Sequence, residues 1–222
     1  MQIRSRSLSL MLCAFFLSFV VVPHGASAAT VPALTAFEEA WAHVNDYTVT
    51  VHAREVQGGD TQSRTYQYWF KKPHQAKTLI VDGDGRGSGG VWAGGDQVSG
   101  HQGGFLSHFH LKVGIHDHRA TSLRGYTIPD GLINNQVNQY HTTKGELTQK
   151  AGAGDTEEVD LKVANPTSSG PEAGVTKMTI FFSKSTHMPV RQIRYAGDKV
   201  VTDETWSDLK LNQNLGDGEF PF

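Results

Sequence analysis

The chain has 222 residues, 20 basic against 22 acidic, and a formal net charge of −2. Without clustered Lys and Arg it lacks the electrostatic footprint of a nucleic-acid binder. The length suits one domain with a core of its own, and Cys13, the single cysteine, supplies no disulfide framework.

The N-terminus reads as an export signal. Arg4 and Arg6 precede an apolar run from Leu8 to Val22, and Ala26-Ser27-Ala28 places small residues where a signal peptidase reads. The run is shorter than the roughly 20 residues that cross a bilayer as a helix. Residues 1–28 are therefore expected to be removed after Ala28, and Cys13 to leave with them. Residues 29–222 then form a single domain outside the cytoplasm, free of any lipid anchor.

After the cleavage site, Leu34, Phe37, Trp41 and Val44 recur at helical spacing and predict an amphipathic helix over residues 34–45. The period then becomes two. Tyr47, Val49, Val51 and Ala53 alternate with Thr48, Thr50, His52 and Arg54, the mark of a strand. Gly58-Gly59-Asp60 is a turn, residues 65–71 a second strand ended by Pro73, residues 77–81 a third, and Val91-Trp92-Ala93 the start of a fourth. Gly is concentrated between Gly83 and Gly104, which marks a loop-rich region. In the middle, Asp130 is placed to cap a helix through Thr142 with Leu132, Ile133, Val137 and Tyr140 as its apolar stripe. Residues 147–163 hold two strands broken near Gly152-Ala153-Gly154, residues 165–174 a loop, and residues 176–183, 188–195 and 199–211 three more strands. With no helices between them, the late strands pair as antiparallel neighbours. The predicted fold class is α+β, mostly β, a large curved sheet with helices on one side.

Few motifs for chemistry stand out. Gly85, Gly87 and Gly90 match a dinucleotide-binding GxGxxG, but the helix that must follow is replaced by Val91-Trp92-Ala93 and more glycine. A P-loop, a GxSxG nucleophile elbow and a helical HExxH are all lacking from the sequence. His108, His110, His116 and His118 put paired imidazoles at strand spacing, a weak candidate for a transition metal. Aromatics are the stronger feature. Trp41, Tyr66, Tyr68, Trp69, Phe70, Trp92 and Phe182 recur on the first helix and the strands, and both faces of the Tyr66–Phe70 strand carry them. One layer of core absorbs only one face, which points to a second apolar surface and to a ligand cavity in the sheet.

Tyr68-Trp69-Phe70-Lys71-Lys72-Pro73-His74-Gln75-Ala76-Lys77 resembles the Phe-x-basic-Pro strand and turn of the LolA-like superfamily, the periplasmic outer-membrane lipoprotein carriers and their relatives. The Gly-rich turn into Val91-Trp92 and the late Pro189-Val190-Arg191 strand after Phe181-Phe182-Ser183 are similar to that family too. The resemblance implies an incomplete antiparallel β-barrel covered by helices, with an apolar cavity for acyl chains. By that likeness Trp41, Trp69, Phe70, Ile80, Trp92 and Phe182 line or border the cavity. It implies a non-enzymatic, monomeric periplasmic carrier without cofactor, whose partners are a lipoprotein or lipid acyl chains and envelope membrane proteins. The His-rich stretch from Gly100 to Arg119 departs from the carrier. Two other readings stay open: an envelope sensing or interaction module of the same fold, and a His-rich metal-binding protein.

Overall fold

The computed structural model describes residues 31–106 and 109–221. The export segment, the cleavage site and His108 lie outside the described residues.

Helix α1 spans Pro32–Ala42, a little earlier than the apolar spacing suggests. Pro32 sits in its first turn, where a missing N–H costs nothing and the fixed φ suits the helix. Ala33, Leu34 and Phe37 form its buried face. The strands follow as β1 (Asp46–Gln57), β2 (Asp60–Lys71), β3 (Gln75–Gly83), β4 (Gly89–Trp92), β5 (Gln97–His101) and β6 (Leu111–Gly114). Helix α2 (Ile133–Thr142) separates them from β7 (Gly145–Ala151), β8 (Thr156–Val163), β9 (Lys177–Ser183), β10 (Pro189–Ala196) and β11 (Lys199–Leu211).

Among the described residues all eleven strands join one sheet, ordered β6-β5-β4-β3-β2-β1-β11-β10-β9-β8-β7. Neighbouring strands pair antiparallel throughout. The first and last strands meet at the centre, where β1 pairs with β11 (Val51 opposite Trp206). Strands β6 and β7 remain as the two edges, so the barrel is incomplete.

The middle differs from the sequence expectation in one respect. Asp130 belongs to a 3-10 turn, Pro129–Gly131, and its Oδ2 accepts hydrogen bonds from Thr127 N at 2.8 Å and Thr127 Oγ1 at 2.7 Å. With the carboxylate turned back, Leu132 becomes the N-cap residue of α2. The apolar stripe holds: Leu132, Ile133, Val137 and Tyr140 are all buried. Strands β5 and β6 escape the sequence reading because they are short and each ends on or near a Gly.

The core lies on the inner face of the sheet. Trp41 stacks on Phe37 (centroids 5.7 Å apart) and on Phe70 (6.0 Å), and Phe70 stands 5.1 Å from Tyr47. Phe37 reaches Phe182 on β9 at 5.9 Å. These contacts tie α1 to both halves of the sheet. The Tyr47 hydroxyl accepts a hydrogen bond from Ile133 N at 3.3 Å and so anchors α2 to β1.

Candidate functional site: a cavity with one polar wall

Residues two apart on a strand share a face. On β1 and β2 that face carries Tyr47, Val49, Val51, Ala53 and Glu55 beside Phe70, Tyr68, Tyr66 and Arg64. At one end the large aromatics meet α1 and close the core. At the other end the side chains shorten to Val51 and Ala53, and the facing strands β4 and β5 present Gly89, Gly90 and Gly100. The space is not filled. It is a cavity of about 820 Å³, roofed by residues 118–122 and 126–131, within the size range of small-molecule sites.

The floor is largely apolar, lined by Val51, Tyr66, Tyr68, Ile80 and Val98, and Ile128 faces it from the roof. One end is ionisable. Glu55, Arg64 and Glu204 all reach its surface. The Glu55 carboxylate accepts a hydrogen bond from Arg124 N at 2.8 Å, and Arg124 spends its guanidinium on the carbonyls of Val56, Pro171 and Ala173. Glu204 accepts from Gln136 Nε2 on α2 at 3.0 Å. Burial pushes its pKa up from the ordinary 4.5 to about 7, and Arg194 opposes that rise.

Arg194 on β10 is fully buried behind this wall. Its Nη2 donates to Gln136 Oε1 and, at 3.0 Å, to Gln139 Oε1 on α2. Its Nε lies 3.0 Å from Glu172, at an angle unsuited to a hydrogen bond, and its Nη1 4.0 Å from Glu204. The guanidinium carbon sits 5.0 Å above the Tyr126 ring. Burial pulls the Arg194 pKa down; Tyr126, Glu172 and Glu204 more than offset it and hold the side chain charged. Two glutamates, one arginine and a helix thus share one network.

The structure divides the six residues singled out from the sequence. Ile80 lines the cavity. Trp41, Phe70 and Phe182 come together in the packed core at the closed end. Trp92 packs against that core and stands edge-on to His74, with centroids 6.2 Å apart. Trp69 is on the outer face of β2, beneath Lys77 Nζ at 4.6 Å. The C-terminal tail reaches the same strands, through Lys71 Nζ to Asp217 Oδ1 at 2.7 Å and Lys77 Nζ to Glu219 O at 3.1 Å, and buries Phe220. The second aromatic face of β2 is therefore partly covered by this chain's own tail.

Of the histidines, His101 and His110 approach with rings 5.4 Å apart, while His118 stands 3.5 Å from Asp117. Among the described residues no three His, Cys, Asp or Glu side chains converge as a metal site. The sequence reading missed Arg64, Glu55, Glu204 and Arg194. A signal was present: on β10 and β11, Gln192, Arg194, Thr202 and Glu204 occupy the inward period-two positions, where apolar residues are the rule.

No family model and no curated protein matches the chain. Solved structures do. An uncharacterised conserved protein from Thermus thermophilus has a TM-score of 0.51 at 10% identity, over 85% of this chain and 90% of its own. A DUF1329 family protein from Desulfovibrio piger gives 0.47 at 14% identity, over 86% and 98%. A LolA superfamily protein from Nitrosomonas europaea gives 0.42 at 14% identity, over 87% and 99%. The Thermus likeness is one of fold, and at such identity it extends to nothing finer. The open antiparallel sheet, with α1 and α2 over its inner face, is the architecture that the LolA-like resemblance implies.

Proposed function

We propose that this chain is a non-enzymatic binding protein of the cell envelope, active in the periplasm once residues 1–28 are removed. It holds the acyl chain of a lipid or lipidated protein in the cavity between β1–β6 and the 118–131 segment. One observation carries the reading: an unfilled space of about 820 Å³ with an apolar floor, beside a core that is otherwise packed. Each acyl methylene moved from water onto Val51, Tyr66, Tyr68, Ile80, Val98 and Ile128 contributes up to about 0.8 kcal/mol. Ile80 is the proposed ligand contact among the six residues drawn from the resemblance. Trp41, Phe70, Trp92 and Phe182 border the ligand's space by forming its closed end.

The test is displacement of an apolar fluorescent dye by fatty acyl probes of graded length, with native mass spectrometry of the purified protein. Shortening the probe by two methylenes is expected to weaken binding about tenfold. Ala53→Phe, which fills the cavity from β1, is expected to weaken the dye and every probe. A folded wild-type protein that takes up neither dye nor acyl probe sinks the reading, as does an Ala53→Phe protein with unchanged affinity.

A further inference from the structure

The charge on the cavity wall deepens this reading, on which the inference rests, by specifying the ligand's polar end. Arg64 stands on β2 in the cavity wall, opposite Ala53 of β1. Its Nε donates to the Asp84 carbonyl at 2.8 Å and its Nη1 to the Tyr66 hydroxyl at 3.2 Å. Both acceptors are neutral. Among the described residues no carboxylate lies within ion-pair distance of this guanidinium. Five N–H groups in a planar fork suit a carboxylate or phosphate, and two are engaged.

The other charged groups on the wall have different circumstances. Arg119 is bound by both oxygens of Asp117, at 2.8 Å and 2.7 Å. Glu55 already receives the Arg124 amide, and Glu204 receives Gln136 with Arg194 behind it. Arg86 adds a second cation to the cavity wall, from the β3–β4 loop. Arg64 and Arg86, which have no carboxylate within ion-pair distance among the described residues, therefore both stand on the β2–β4 side, next to the apolar floor at Tyr66, Tyr68 and Ile80. We propose that the cavity selects an amphiphile with an anionic head, its carboxylate or phosphate on Arg64 and its chain along Tyr66, Tyr68 and Ile80. A chain of the same length with a neutral or cationic head is a poorer ligand.

The experiment uses the purified protein and the same dye, displaced by palmitic acid, its methyl ester, palmitylamine and lysophosphatidic acid. A charge-assisted hydrogen bond shielded from water corresponds to a preference of about tenfold or more. The acid is expected to exceed the ester by that factor, and Arg64→Gln to remove that preference, weakening the acid by a larger factor than the ester. Arg64→Lys, which keeps the charge and loses the fork, is expected to recover part of the preference. The lysophosphatidic acid arm assigns the head: tighter binding than palmitic acid marks a phosphate site, and weaker binding a carboxylate site. Equal affinities for acid, ester and amine overturn the anionic head and leave the acyl-binding reading standing, and so does Arg64→Gln weakening acid and ester alike. Failure of every chain to displace the dye from a folded protein overturns both.

Discussion

Glu204 is a buried carboxyl whose titration is coupled to folding, and Glu204→Gln isolates it. Burial raises its pKa from 4.5 to about 7, which makes the charged form cost about 3 kcal/mol in the folded protein. The sign follows from proton counts. Between those two values the folded chain keeps a proton that the unfolded chain has released. Stability contributed by this group is therefore full below about pH 4.5, falls as pH rises, and is gone above about pH 7. Glutamine copies the shape of the protonated acid and still accepts the Gln136 hydrogen bond, but it cannot ionise. Urea unfolding of both proteins from pH 4.5 to 8 gives a difference curve in which every other titrating group cancels. The two are expected to agree at the acid end and to diverge with rising pH, with Glu204→Gln the more stable by up to about 3 kcal/mol at pH 8. The attraction of Arg194, 4.0 Å away, is already contained in that figure, because it opposes the rise that burial causes. A flat difference curve, or a variant that loses ground as pH rises, refutes the reasoning.

Arg194→Leu removes the buried cation facing Glu172, Glu204 and Gln136, and is expected to cost about 3–5 kcal/mol, read as a shift in the urea midpoint. Trp41→Ala empties the centre of the aromatic cluster and is expected to cost about 3–5 kcal/mol by the same measurement, with little change in affinity for short acyl probes. Gly131→Ala would place a methyl group 2.4 Å from the Tyr68 hydroxyl, so it is expected to cost about 1–3 kcal/mol and to weaken dye binding as Tyr68 moves into the cavity. Intact-mass measurement of protein recovered from the periplasm is expected to show a chain beginning at Ala29; retention of residues 1–28 refutes the export reading.

The strands were largely legible because each buries one face. Residues 47–54 alternate apolar with polar, residues 65–71 put Tyr66, Tyr68 and Phe70 on one face, and the breaks at Gly58-Gly59 and Gly152-Ala153-Gly154 fall where the chain turns. The late strands were equally clear, and their lack of intervening helices dictated antiparallel pairing. Strands β5 and β6 were not legible: Gln97–His101 and Leu111–Gly114 carry too few apolar side chains for a period to register. The cavity was legible only as an excess of aromatics. Which of those aromatics fill space and which border it depends on where α1 lands, and that is a tertiary contact. Trp41, Phe70 and Phe182 are brought together from three distant segments, so local spacing could not separate core from lining. The polar wall had its trace in the inward positions of β10 and β11, where Arg194 and Glu204 break an apolar pattern.

The glycines of β4 and β5 bear on how such a binding site can be altered. A Cβ on Gly89 would stand 2.8 Å from the Thr78 carbonyl oxygen, and one on Gly100 2.7 Å from the Gly89 carbonyl oxygen. The obstacles are backbone atoms, which do not swing aside. At Gly89 and Gly100 this wall is therefore fixed and accepts no side chain, whereas a Cβ on Gly90 would meet the Val98 and Ile128 side chains at 3.0 and 3.1 Å, which can give. Retuning of ligand size therefore falls mainly to Val51, Ala53 and the roof at residues 126–131, which makes β1 the adjustable jaw and the Gly89–Gly100 pair the anvil.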